Sequence, residues 1–343
     1  MNEIVEMLLY MIAAGGVIYV LSEKLEKTGT DIGNYLRIPM VVIASTFAAV
    51  ATSGPEILIS VITSTDGYIS SGWDFLSLSE KATAGPLNMS FSAMDNLLGI
   101  FGLAAIILML AKRVRPRDQI EVPNSVKISL GFYIVISMVF TLSIWDGIMT
   151  PVEAYMLASI AAFYLLFLIF AHRLFEDGEE NKEETPFKFM GFLGTIAMYS
   201  ILIWGSVEMI KIVLGSTFGM AQIGVASVGA VLLALTSYVS SFPELGMTYV
   251  MARKGNVKDI LGMLFGSNVI DLGFSGLRPI VQNTEMAIFT TGTPGLLQWY
   301  IAALPATAVI ISLIVWKGKL KYWMAIPGGC FYLAYILGGW IYL

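Results

Sequence analysis

The chain has 343 residues, of which 57% are hydrophobic and 13% charged, against roughly 25% charged in a soluble domain. That leaves too little polar surface to cover a water-soluble particle, and a formal net charge of −5 argues against a nucleic-acid partner. Cys330 and His172 are the only residues of their kinds, which excludes a disulfide framework, a thiolate metal cluster, an HExxH zinc site and a triad needing a second histidine.

The apolar residues form ten blocks, near 4–22, 37–63, 85–111, 126–145, 150–171, 187–212, 221–251, 257–275, 296–316 and 322–342. Runs near 20 residues match the hydrocarbon thickness of a bilayer, so each block is a predicted membrane helix. The first begins MNEIVE, acidic where a secretory signal has a basic leader, and reads as a membrane span rather than a cleaved signal. Between the fifth and sixth blocks lies HRLFEDGEENKEETPFK, residues 172–188. Its acidic run lacks the spaced oxygen ligands of an EF-hand, and it reads as a solvated linker between a first half (1–171) and a second (189–343). With the N-terminus outside, 17 of the 20 Lys and Arg residues fall in inner connections, leaving only Lys81, Lys211 and Arg278 outside. This bias predicts two outward-facing termini and supports the count of ten, since one span more or fewer would scramble the alternation.

The two halves resemble each other at their most polar points. The second block contains Ala51-Thr52-Ser53-Gly54-Pro55-Glu56, and the seventh contains Val239-Ser240-Ser241-Phe242-Pro243-Glu244. In the third block stands Ser92-Ala93-Met94-Asp95-Asn96, and in the eighth Ser267-Asn268-Val269-Ile270-Asp271. Five helices per half would give the two repeats opposite orientations, an architecture of transporters with a midplane site. The fold class is thus expected to be an all-α integral membrane protein with ten transmembrane helices in two inverted five-helix repeats.

Spacing explains why these residues suit one site. Thr52 and Glu56, Ser92 and Asn96, Ser240 and Glu244, and Ser267 and Asp271 are i, i+4 pairs, each on one helix face. Pro55 and Pro243 lack the N–H that would bond the carbonyls of Ala51 and Val239, so each helix should break beside its glutamate. A single proline is ordinarily a kink, and a single serine ordinarily bonds back to its own helix. Two matched S-x-P-E motifs, each followed by S-x-x-x-[N/D], are harder to read as packing, because intramembrane acids are costly and mark ion pathways.

These motifs resemble the two alpha-repeats of the sodium/calcium exchanger family, within the cation/calcium antiporter superfamily. The family pattern is G-T-S-x-P-E followed by G-S-N-x-x-[N/D], once per half. The resemblance implies calcium ligands at Glu56 and Glu244. It implies sodium sites that use Thr52, Ser53, Ser92, Asn96, Ser240, Ser241, Ser267 and Asp271, with backbone carbonyls near Ala49 and Ser237. Departures are Ala51 and Val239 in place of glycine, and Phe91 and Ala93 where the first half should read G-S-N. Asp95 is an acid beyond the pattern, expected to be neutral or to face water.

Calcium and sodium are thus the expected transported ions, with membrane lipid as surroundings, no cofactor, no enzymatic activity and no obligate protein partner. Glu56, Glu244 and Asp271 would give the site a formal charge of −3, with Asn96 adding a neutral oxygen. The first and sixth blocks, rich in glycine and free of proline, are the expected moving helices by the same resemblance. The 19 Met residues read as apolar filler, since none clusters with Cys near the acids. The alternative reading is proton-coupled antiport of calcium or another divalent cation on the same fold. That branch resembles a G-N-x-x-E context, and this chain has hydroxyls there. An aspartyl protease would need a second aspartate in a G-x-G-D context, and a passive channel would conduct without a counter-ion.

Overall fold

The computed structural model describes residues 22–64, 88–111, 114–172, 240–287, 294–317 and 320–324, with single positions at 20, 86, 194, 197, 201, 326, 327 and 330. The predicted first and sixth blocks, the acidic linker, most of the seventh and tenth blocks, and Ser237 lie outside the described residues.

The described chain is almost entirely helical. In order come α1 (22–36), α2 (Met40–Ile62), α3 (Asn88–Leu110), α4 (Asn124–Ser143) and α5 (Pro151–Ala171). Then follow α6 (Phe242–Lys254), α7 (Val257–Phe274), α8 (Leu277–Gln282) and α9 (Pro294–Trp316). Helices α2, α3, α4, α5 and the stretch Val257–Gln282 are each long and apolar enough to cross a membrane. They match the second, third, fourth, fifth and eighth predicted blocks to within a few residues, apart from the later end of the eighth.

Helix α7 is the axis of the described fold. Every residue from Ile260 to Gly273 is buried, against α2, α4, α5 and α6. Close approach is made possible by its glycines. A Cβ added at Gly262 would lie 2.5 Å from Ser45 Oγ, and one at Gly276, just beyond α7, 2.5 Å from Ala154 Cβ. Small residues at helix contacts let membrane helices pack by dispersion where lipid offers no hydrophobic drive. The outer helices show the complementary pattern. In α5, Ala154, Leu157, Ala161, Tyr164 and Leu168 are wholly buried, while Val152, Phe163 and Phe170 are exposed. An apolar residue on the outside as well as the inside is what a lipid-facing helix requires. Its start is fixed by a reciprocal cap: the Thr150 N–H donates to Glu153 Oε2 (2.8 Å), and the Glu153 N–H donates to Thr150 Oγ1 (3.4 Å). Between α4 and α5, Ile148–Met149 pairs antiparallel with Met286–Ala287 beyond α8, clamping the two ends together.

Helix α2 is not regular. Residues Ala44–Ala48 form a π-helical turn, and Asp95–Ile100 forms another in α3. The wider turn in α2 has a partner in another helix: Tyr164 of α5 donates its hydroxyl to the Ser45 carbonyl at 2.7 Å and shares a 3.0 Å hydrogen bond with Ser129 of α4. Tyr164→Phe strands that buried carbonyl, and should lower stability by about 1–2 kcal/mol, read as a fall in the thermal unfolding midpoint in detergent. At the end of the bundle nearest Lys254, that lysine pairs with the nearly buried Glu26 of α1, and Lys258 pairs with Glu121 at 3.0 Å.

Candidate ion site

Both S-x-P-E motifs sit at breaks followed by fresh helix starts. In α2 the helix is interrupted at Ser53 and resumes at Gly54, with Pro55 and Glu56 in the new first turn. Ser241 occupies the N-cap of α6, with Pro243 and Glu244 in its first turn. Proline suits this place because the first-turn N–H groups have no helical partner to lose. The positive end of the helix dipole also favours a carboxylate there. The break predicted from Pro55 is therefore seen, and Glu56 and Glu244 occupy equivalent positions.

The four segments then meet. Thr52, Ser53, Glu56, Ser92, Asn96, Ser240, Glu244, Ser267 and Asp271 are 0% exposed and Ser241 is 2% exposed, so no bulk water reaches the group. Within each motif pair a serine serves the glutamate: the Ser92 hydroxyl donates to Glu56 Oε1 at 3.2 Å, and the Ser267 hydroxyl donates to Glu244 Oε1 at 3.0 Å. Between the pairs the hydroxyls cross over, Ser53 to Ser267 at 2.7 Å and Ser241 to Ser92 at 3.0 Å. Ser241 also donates to Glu56 Oε1 at 3.4 Å, and Ser240 lies beside the same carboxyl. Matched residues thus make matched bonds in both directions.

Symmetry fails at Asn96 and Asp271. Asn96 Nδ2 donates to Asn268 Oδ1 (3.0 Å) and to Ser267 Oγ (3.4 Å), whereas Asp271 faces the hydroxyls of Ser53 and Ser92 without a hydrogen bond. On the acids and the amide of the group, five buried oxygens are left without a hydrogen-bond partner: Glu56 Oε2, Glu244 Oε2, both Asp271 oxygens and Asn96 Oδ1. Buried oxygens are nearly always satisfied, and in a membrane interior each orphan is expensive. Among the described residues no three acidic, histidine or cysteine side chains stand close enough to hold a metal ion by themselves. A cation held here therefore needs the hydroxyl and amide oxygens as well.

Two expected oxygens are otherwise engaged. The Thr52 hydroxyl turns back to the Ala49 carbonyl at 3.2 Å, and the Ser53 N–H donates to that carbonyl at 3.0 Å. Of the two expectations for Asp95, the water-facing one is corrected: the residue is buried at 3% exposure, in the widened turn of α3 beside Asn96. Sequence reasoning also passed over two neighbours. Asn268 bridges the halves, accepting from Asn96 and donating from Nδ2 to the Ala93 carbonyl at 3.1 Å. Ala93 and Asn268 hold the same place in their motifs, so the signal was the asparagine present in one repeat and missing from the other. Tyr133 of α4, fully buried, lies against Asn268 in the field of Asp271. Nothing in one tyrosine among the aromatics of an apolar helix marks it in advance.

Residues 7–170 match the family described as sodium/calcium exchanger protein. No curated protein matches the sequence. Among solved structures, the chain is similar to the sodium-calcium exchanger NCX_Mj soaked with 2.5 mM Na+ and 0.1 mM Sr2+, with a TM-score of 0.71 at 18% identity, covering 97% of this chain and 98% of that one. The same exchanger soaked with 2.5 mM Na+ and 10 mM Sr2+ gives a TM-score of 0.69 at 18% identity over 97% and 98% of the two chains. Soaked with zero Na+ and Ca2+, it gives 0.66 at 18% identity over 97% and 98%. At that identity the likeness is one of fold. Residues 7–170 thus resemble the sodium/calcium exchanger family, and over nearly its whole length the chain has the fold of a solved sodium-calcium exchanger.

Proposed function

We propose that the chain exchanges calcium for sodium across a membrane by alternating access at the buried cluster of α2, α3, α6 and α7. The observation that carries this is the set of five unpartnered oxygens on Glu56, Glu244, Asp271 and Asn96, ringed by serine hydroxyls. Calcium takes about 6–8 oxygens in irregular geometry, and the hydroxyls raise the supply to that range. Several sodium ions neutralise the same acids in the other phase of the cycle. An empty site would carry three acids through low dielectric, at a cost of several kcal/mol even after relaxation. Loaded forms cross and the empty form does not, which makes the process exchange rather than uniport.

The crossed serine pairs support two inverted repeats of five helices, for a total of ten, with outward-facing termini following from the Lys and Arg distribution. Hydroxyl donors to the carboxylates support sodium over protons as the coupling ion. The test is calcium uptake into proteoliposomes under an imposed sodium gradient, repeated with a proton gradient alone. Uptake driven only by protons would overturn the sodium assignment, and uptake with neither gradient would overturn antiport.

The Asn96/Asp271 asymmetry sets the charge of the site. With Asn96→Asp the formal charge becomes about −4, more than one calcium ion or three sodium ions can neutralise. This variant should slow exchange of bound calcium by tenfold or more, on the order of 1.4 kcal/mol, while calcium still binds at equilibrium. Asp271→Asn should instead weaken sodium dependence. Flux and equilibrium binding measured side by side separate the two effects, and wild-type flux in Asn96→Asp would show that charge does not control the site.

A further inference from the structure

Away from the ion site, α4 and α5 leave a groove of about 890 Å³ on the outside of the bundle. One face of α4, from Asn124 through Lys127 and Gly131 to Val135, forms one wall, and the α5 face around Phe163 forms the other. Trp316 at the end of α9 closes the same end as Asn124 and Lys127. Among the described residues, those along the groove are apolar apart from that end and Ser159, and none is acidic. Lys127 Nζ donates to Asn124 Oδ1 at 3.3 Å, holding an ammonium at the mouth. Val135, Phe163 and Trp316 are all about half exposed or more, so the groove opens outward.

Its dimensions name the occupant. Asn124 and Val135 are eleven residues apart, about 16 Å of helix, close to half of a 30 Å hydrocarbon core. The groove therefore spans one leaflet, with Lys127 at headgroup level beside a tryptophan, the residue that favours that interface. Gly131 sits in the middle, and a Cβ added there meets nothing within 4 Å. Space is thus kept open along the groove where neighbouring turns carry larger side chains.

We propose that this groove is a binding site for an anionic phospholipid, with an acyl chain lying along α4 past Gly131 and the phosphate over Lys127. The site rests on the membrane-spanning reading of α4 and α5 and not on the nature of the transported ions. A basic group at a pocket between membrane helices attracts anionic headgroups, while the apolar walls are indifferent to the headgroup.

The two parts separate by mutation. The full-length protein is purified in detergent, mixed with phosphatidylglycerol or phosphatidylcholine, and its retained lipid counted by native mass spectrometry. The parent should retain one tightly held phosphatidylglycerol in preference to phosphatidylcholine. Lys127→Gln should cut that preference about fivefold while retaining lipid. Gly131→Leu fills the groove with a better helix former and should remove the retained lipid of either headgroup. A thermal unfolding midpoint in lipid-free detergent no lower than the parent's establishes that both variants are folded. Equal retention of the two lipids by the parent, undiminished preference in Lys127→Gln, or undiminished retention in Gly131→Leu would each overturn the assignment.

Discussion

Replacing Glu56 or Glu244 by glutamine should abolish sodium-driven calcium flux while leaving the protein folded. The amide keeps the size of the carboxyl and can still accept from Ser92 or Ser267, at 3.2 and 3.0 Å from Oε1 of the two glutamates. What it removes is one negative charge out of three in a site whose side chains are fully buried. In such surroundings an unbalanced divalent ion is costly, so binding falls by several kcal/mol, and a loss of 10³-fold or more in flux is expected. Because matched bonds surround the two glutamates, the two variants should fail alike. The measurement is calcium uptake in proteoliposomes with protein insertion quantified in parallel, and near-parental uptake by either variant would refute the role given to that residue.

A second large effect is expected at Gly266. A Cβ added there would stand 2.9 Å from both the Ser45 carbonyl carbon and Ala49 Cβ, and closer still to the Ser45 oxygen. The Ser45 atoms belong to the widened turn of α2 and Ala49 follows it directly; the Ser45 oxygen is already held by the Tyr164 hydroxyl, so moving that backbone away would break a buried hydrogen bond. Gly266→Ala should therefore destabilise by about 3 kcal/mol or more, although alanine is the better helix former. Gly131→Ala, on the open face of α4, should be neutral or stabilising by up to about 1 kcal/mol. Thermal unfolding of the two variants in one detergent gives the comparison. The same substitution with the same sign at both positions would mean that helix propensity, not the α2–α7 contact, governs them.

The parts of this architecture written in the sequence are those where one residue type has one physical consequence. An acid next to a proline inside an apolar run forces both a helix break and a reason for it, which is why Glu56 and Glu244 were legible. The i, i+4 rule placed Ser92 with Asn96 and Ser267 with Asp271 for the same reason. Which hydroxyl bonds which carboxylate was not legible, because those distances depend on how α2, α3, α6 and α7 cross. Thr52 shows the limit: its spacing to Glu56 is right, yet its hydroxyl bonds the Ala49 carbonyl, as a threonine on a helix often does. The widened turn at Ala44–Ala48 carries no proline or glycine, and the residue that bonds its Ser45 carbonyl, Tyr164, lies far along the chain. That Asp95 would not face water was not legible, because adjacent residues on a helix point about 100° apart; only the surrounding helices decide that both Asp95 and Asn96 end up inside.

The crossed serine bonds also govern when the protein becomes itself during synthesis. Ser92 waits for Ser241, 149 residues later in translation, and Ser53 waits for Ser267, 214 residues later. Until then α2 and α3 are in the bilayer with Glu56, Ser53 and Asn96 lacking the partners that α6 and α7 bring. Chains grow at about 5–20 residues per second, so this unfinished state lasts on the order of ten seconds or more. Through that interval the acid of the first repeat must stay hydrated or protonated, because a bare carboxylate in lipid is too costly. Half a chain is thus a membrane segment with a polar seam, recognisable to quality-control machinery as incomplete. Arrival of α7 closes the seam, so the buried cluster and the fold are completed together.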